Sequence, residues 1–231
     1  MEDLFSILWR PDFLLKFCLG GIDLEIVTRL YIARHGQSMW NLENRMQGMK
    51  DVELSELGIK QAELLAKRLE GENIEAVYSS DLKRAYMTAE IISKRIKVPL
   101  FKEKEFREMS FGVWEGLTAE EIEKNYAELY TLWKKDPLQF FVEKGETLQQ
   151  VQNRMLKKTW EIVEKNMGRN VLIVSHGTSI KALILGLLGI DLNFYPSFRM
   201  DNASLNIVDI KENKKAVLVL YNDTCHLGER K

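Results

Sequence analysis

The chain has 231 residues, 45% hydrophobic and 29% charged, with 33 Lys and Arg against 34 Asp and Glu. Those figures exclude a disordered or collagen-like chain, and a net charge of -1 lacks the basic excess of a duplex-binding protein, so no nucleic-acid partner is expected. Cys18 and Cys225 form neither a Cys-x-x-Cys pair nor a zinc spacing, and no run of about 18 apolar residues exists; a reducing cytoplasm and no membrane partner are expected.

Residues 1–26 read as an N-terminal extension ahead of a single domain over 27–231. The apolar stretch from Leu4 to Leu19 is broken by Arg10, Pro11, Asp12 and Lys16, and Glu2 and Asp3 stand where a signal peptide would be basic. A second reading makes Gly20-Gly21 a translated ribosome-binding site, with the true start near Leu24 or Val27.

From Val27 to Ala33 the residues are apolar and β-branched, which predicts a buried strand ending at Arg34-His35-Gly36. Ser55 caps a predicted helix running to about Glu70, with Leu57, Leu64, Leu65 and Leu69 on its inner side. Ile74 to Tyr78 is a second strand. Ser79-Ser80-Asp81 reads as the cap of a helix that runs through Arg84 to about Ile96. Pro99 keeps Val98 extended. Residues 117–145 are irregularly helical and read as a small cap. Glu146 to Met167 is a long amphipathic helix, with Leu148, Val151, Met155, Trp160 and Val163 at helical spacing. Val171 to Val174 is a strand ending at Ser175-His176-Gly177, and Ser179 to Leu188 is a helix closed near Gly189. Ser204 to Ile210 and Ala216 to Tyr221 alternate like a terminal β-hairpin. Together these elements predict an α/β fold: three layers, α/β/α, with a mostly parallel central sheet, a helical cap insertion and a C-terminal hairpin.

His35 and His176 each follow a predicted strand directly and each precede a glycine. Ligands of parallel sheets bind outside the strand C-termini, so two histidines at two such ends are placed to face one crevice. Arg34 adjoins the first histidine, and Arg84 opens the helix after the second strand. Arginine offers a planar fork of donors suited to phosphate. Singly, each of these histidines is more often an ordinary loop residue and Arg84 more often a solvated helix charge; it is the shared context that points to a phosphate pocket. His226, in a charged tail, reads as an exposed residue.

Arg34-His35-Gly36 with Ser38, Trp40 and Asn41, then Leu54-Ser55-Glu56-Leu57-Gly58, Ser79-Ser80-Asp81-Leu82-Lys83-Arg84-Ala85, Arg107-Glu108-Met109 through Gly116, Gly145-Glu146-Thr147, Ser175-His176-Gly177 and Asn202-Ala203-Ser204 follow one another over about residues 28–222. This ordered set resembles the histidine phosphatase superfamily, the phosphoglycerate mutase-like proteins. The resemblance implies that His35 is a nucleophile forming phosphohistidine. Arg34, Arg84 and His176 would hold the phosphoryl oxygens with help from Asn41, and Glu108 would serve as general acid and then base. It implies no cofactor and no metal.

The mutases of that family are expected to carry an arginine directly after the acid, where this chain has Met109, and a longer, more basic insertion. The segment from Phe111 to Gly116 resembles the phosphatase branch, including broad-specificity and α-ribazole phosphatases. The expectation is therefore a phosphoric monoester hydrolase of the histidine acid phosphatase type, acting on a small phosphorylated metabolite. The alternatives are a cofactor-dependent mutase and a non-catalytic binding module. Candidate substrate contacts are Gln47 and Gly48 and, from the cap, Trp133, Phe140 and Phe141; ordinary cap packing is an equal account of the two phenylalanines. A homodimer could form through the terminal hairpin or the N-terminal extension.

Overall fold

The computed structural model describes residues 27–228. The N-terminal extension, and with it the question of the start, lies outside the described residues.

Six strands form one sheet: β1 (Val27–Arg34), β2 (Ile74–Ser79), β3 (Leu100–Lys102), β4 (Asn170–Ser175), β5 (Leu205–Lys211) and β6 (Ala216–Asp223). Their order across the sheet is β3-β2-β4-β1-β5-β6. The first four are parallel neighbours, and β5 and β6 complete one edge in antiparallel pairing. Register decides the site: Arg34 lies opposite Ser175, and Ser79 lies opposite Val174. The chain therefore leaves β1, β4 and β2 at the same level, and the residues that follow, His35, His176 and Ser80, emerge side by side.

Six main helices cover the sheet or build the cap: α1 (Glu56–Arg68), α2 (Lys83–Ile96), α3 (Ala119–Asn125), α4 (Ala127–Lys135), α5 (Leu148–Lys165) and α6 (Gly177–Leu188). One core joins Tyr31, Ala33, Val77 and Leu172 of the sheet to Leu65 and Ala66 of α1 and Ala85, Ala89 and Ile92 of α2. The other joins Leu30, Ile32, Val171 and Ile173 to α5 and α6 and continues into Phe106, Trp114 and Phe140. Sheet residues of opposite parity thus feed opposite cores, which is the three-layer arrangement expected.

Two local expectations need correction. The buried face of α1 is Gly58, Ala62, Leu65 and Ala66, whereas Leu57 and Leu64 are 50% and 41% exposed. Small residues win that face because α1 approaches the rest of the fold closely: a Cβ on Gly36 or on Gly58 would collide with backbone of the facing segment. Nor does the Ser79-Ser80-Asp81 segment cap α2. Its N-cap is Leu82, which has no side-chain cap, and the free Lys83 N–H donates to Asp51 Oδ1 at 2.6 Å. Asp81 is instead held by a two-pronged pair with Arg107, both bonds 2.7 Å.

Other ends follow local rules. Ser55 Oγ accepts from Gly58 N at 3.0 Å, and Thr147 forms a capping box with Gln150 at the start of α5. Gly189 closes α6 in the left-handed conformation. In the hairpin only β6 alternates, since β5 is covered on both faces.

Candidate active site

The strand ends open into a cleft of about 380 Å³. On its floor His35 is 2% exposed. His35 Nδ1 lies 2.7 Å from the carbonyl oxygen of Gly36. A carbonyl only accepts, so Nδ1 carries the proton and Nε2 keeps its lone pair. Burial first, then Arg84 and Arg34, push the His35 pKa well below its usual value, so the neutral ring persists as pH falls past 6.5. Asn202 Nδ2 donates to the carbonyl oxygens of His35 and Gly36, at 3.2 and 3.4 Å, and to Asn41 Oδ1 at 3.2 Å.

Arg84 is buried within the cleft wall and gives Nη1 to Lys50 O at 2.7 Å and Nη2 to Gly48 O at 2.8 Å. Burial pushes its pKa down to about 10, which leaves it charged at neutral pH. The turn it grips needs glycine at 48: φ is +50°, and a Cβ there would strike the Glu115 carboxylate. Glu115 Oε1 holds the same turn by accepting from Met49 N at 3.0 Å and Phe111 N at 3.1 Å. Arg34 Nη1 donates to Met200 O at 2.6 Å.

His176 packs edge-on to His35, ring centroids 5.1 Å apart, and its Nε2 is hydrogen-bonded to Ser80 Oγ at 2.8 Å. It sits behind the cleft surface rather than on it. Burial, then Arg84, keeps it neutral well below pH 6.5. Arg34 Nε, Arg84 Nε and His176 Nδ1 are all buried without a hydrogen-bond partner. Arg34 and Arg84 line the cleft beside His35, so their unmet donors put positive charge where an anion would sit, whereas Trp114 Nε1, Thr159 Oγ1 and His226 Nδ1 are unmet outside the cleft lining. Asn41 adds a further donor. Its Oδ1 accepts from Ser38 N and Asn202 Nδ2, which fixes the amide and leaves Nδ2 for the cleft.

Glu108 reaches the cleft at the N-terminus of α6. Its Oε1 accepts from Met109 N and Ser179 N at 2.9 and 3.1 Å, and its Oε2 from Thr178 N alone at 3.2 Å, while the Ser179 hydroxyl donates to Arg107 O at 2.8 Å. Oε2 is thus the oxygen with lone pairs to spare for a proton. Arg154 holds this segment from behind, donating to the carbonyls of Glu105, Arg107 and Glu108 and to the Glu146 carboxylate.

Of the expected substrate contacts, Gln47, Gly48 and Trp133 line the cleft. Gln47 Oε1 accepts from Ser38 Oγ at 2.7 Å, which turns its amide nitrogen to the other side. Phe140 and Phe141 are corrections. Phe140 is fully buried, 4.7 Å from the Trp114 ring and 4.9 Å from the Trp133 ring, and Phe141 is 55% exposed; neither lines the cleft. Phe140 props Trp133, and it is Trp133 that faces the cleft beside Phe111 and Tyr195. Met109 is fully buried in the core, so the residue after the acid presents no side chain to substrate. His226 is half-buried, its Nε2 3.0 Å from Ala203 O, and not the exposed tail residue expected. Sequence reasoning passed over Lys181, Tyr195 and the tie made by Asn202. Asn202 lay inside a quoted motif, and Lys181 looked like any helix lysine.

The family model of the histidine phosphatase superfamily (branch 1) matches residues 30–224. "Phosphoserine phosphatase 1" of Hydrogenobacter thermophilus is 38% identical over 203 residues, covering 88% of this chain and 96% of that protein. A Yersinia pestis protein named "Probable phosphoglycerate mutase" is 30% identical over 209 residues, covering 87% and 95%. The structure of a mycobacterial glucosyl-3-phosphoglycerate phosphatase superposes with a TM-score of 0.80 at 31% identity, covering 85% of this chain and 99% of that one. The histidine, arginine and carboxylate geometry and these matches agree, and the chain belongs to branch 1 of the histidine phosphatase superfamily.

Proposed function

We propose that this phosphatase hydrolyses small phosphomonoesters through a phosphohistidine on His35, with charge stabilisation by fixed side chains rather than a metal. The observation that carries the reading is the protonation pattern of His35: Nδ1–H tied to Gly36 O at 2.7 Å, and a buried ring held neutral by its surroundings. Nε2 attacks phosphorus and the bond to the ester oxygen breaks. Glu108 delivers a proton from Oε2 to that oxygen, releasing an alcohol. Water then attacks the same phosphorus. The P–N bond breaks with its electron pair returning to Nε2, and Glu108 takes a proton from the attacking water, which restores the acid and yields inorganic phosphate. The Gly36 carbonyl offsets the positive charge that grows on the ring when Nε2 is phosphorylated.

Arg34, Arg84 and Asn41 supply donors to the equatorial oxygens, where charge stabilisation matters most in phosphoryl transfer. His176 acts from behind the ring, packed edge-on against His35 and held by the Ser80 hydroxyl at Nε2. Because His35 stays neutral below pH 6.5, the nucleophile survives in mildly acid solution, which supports the acid phosphatase type. A phosphate-release screen over nitrophenyl phosphate, 3-phosphoglycerate, α-ribazole phosphate and sugar phosphates, in excess EDTA and beside a 3- to 2-phosphoglycerate isomerisation assay, tests it. Release without isomerisation is expected. Isomerisation outrunning hydrolysis, or abolition by EDTA, would overturn it.

A further inference from the structure

Lys181 is a cation in the cleft that the reaction above does not use. It lies four residues after Gly177, hence on the same face of α6, one turn beyond the amides that hold Glu108. Its Nζ stands 3.5 Å from the centroid of the Tyr195 ring. Other cations of the cleft are engaged. Arg45 pairs with Glu43 at 2.7 Å and donates to Gly116 O, Arg199 pairs with Asp201 at 2.7 Å, and Arg34 and Arg84 are fixed by carbonyls around His35. Lys181 has neither an acid partner nor a hydrogen bond among the described residues, and of the described lysines that stand over rings, Lys102, Lys134, Lys181 and Lys214, it alone lines the cleft.

Position gives this cation its meaning. In the proposed reaction Glu108 meets the ester oxygen, so the leaving group begins at Glu108 and extends away from His35. Lys181 lines the same cleft one turn of α6 after the amides that hold Glu108, and Glu108 is the acid whose charge acts on it. We infer that Lys181 is a specificity-determining residue that binds a second anionic group, a carboxylate on the leaving group, so that the preferred esters are small phosphorylated carboxylic acids. The inference rests on the phosphatase reading of the same cleft. Tyr195 holds the ammonium in place by its ring face and its hydroxyl donates to Thr178 Oγ1 at 3.2 Å, which fixes the ring in turn.

Burial lowers the Lys181 pKa to about 8, against an opposing pull from Glu108 and with a further push from Arg34. The groups facing it are therefore Glu108, Arg34 and Tyr195, and burial keeps the Tyr195 phenol protonated throughout the working range. The charge that binds a carboxylate is present below about pH 8 and fades above it.

The test is binding to the His35→Ala chain, which separates recognition from turnover. The matched probes are 3-phosphoglycerate and glycerol 3-phosphate, alike except for the carboxylate. Calorimetry at pH 7 should show 3-phosphoglycerate bound about 10–100-fold more tightly, the range for a charged hydrogen-bonded contact. Adding Lys181→Met should remove that ratio while leaving glycerol 3-phosphate within a few-fold, and Lys181→Arg should keep part of it. Raising the pH from 7 to 9 should shrink the ratio without any substitution at Lys181, so the test stands even if the Met variant fails to fold. Equal loss for both probes would overturn the inference and assign Lys181 to the phosphoryl group. An unchanged ratio, or no preference at the start, would overturn it outright. If the His35→Ala chain still releases phosphate, the phosphohistidine reading fails instead, and the binding ratio still reports on Lys181.

Discussion

The floor of the cleft and its roof are built by different physics. On the floor each reactive side chain is held by directional bonds: Asn41 Oδ1 accepts two, Arg84 gives two to carbonyls, Glu108 accepts three, and Asn202 ties the His35–Gly36 backbone to Asn41. The roof is held by ring faces. Trp133 leans on Phe111, Phe140 and Tyr195, and the helix that carries it, α4, has no fully buried residue. Hydrogen bonds fix atoms to within tenths of an ångström, which phosphoryl transfer needs. Apolar contacts tolerate exchange of volume, which is what lets a roof change substrate while the floor keeps its chemistry.

The sharpest break is His35→Ala. Phosphate release should fall by about 10⁴-fold or more, together with loss of any phosphoenzyme, in a steady-state and labelling assay. Next comes Glu108→Gln, with a loss of about 10²–10⁴-fold on alkyl phosphates and much less on nitrophenyl phosphate, whose leaving group needs no proton. Equal losses on both esters would remove the acid role. Arg84→Lys should cost about 10–100-fold in kcat/KM. A lysine has its three donors on one nitrogen and cannot reproduce the fork in which two Nη atoms bind separate carbonyls.

The pH profile sharpens the same contrast. Below pH 6.5, kcat/KM corrected for ester ionisation should not fall tenfold per unit, since the folded His35 titrates well below its usual value. A limb centred near 6.5 would mean that the ring is solvated. At the roof the effects shrink. Trp133→Leu should change KM by about 2–10-fold, in a direction that depends on the leaving group, with kcat little altered. The prop beneath it behaves differently: Phe140→Ala should lower stability by about 3–5 kcal/mol in a denaturant titration, because a fully buried ring is removed.

The floor was largely legible in the sequence because its residues sit at fixed offsets from strand ends. Leu30 to Ala33 and Val171 to Val174 are continuous apolar runs within β1 and β4, and each strand hands its next residue, a histidine, to the cleft. What escaped depends on distance in space. Ala62 and Ala66 displaced Leu57 and Leu64 from the inner face of α1 because a close approach selects small residues, and periodicity alone ranks leucine first. Asp51 caps α2 from 32 residues away, which no local pattern reveals. Lys181 became notable only when Tyr195 and the cleft were placed beside it. Phe140 and Trp133 could not be told apart until one was seen to support the other.

The central claim is the bond to His35, and it can be read directly. The Glu108→Gln chain, given nitrophenyl phosphate and quenched in alkali, should accumulate the phosphoenzyme, because nitrophenolate leaves unaided while water lacks its base. Peptide mass spectrometry should place the phosphoryl group on His35 and show that acid removes it. A phosphoryl group on any other residue, or turnover by the Glu108→Gln chain with neither a burst nor a label on His35, would contradict the account.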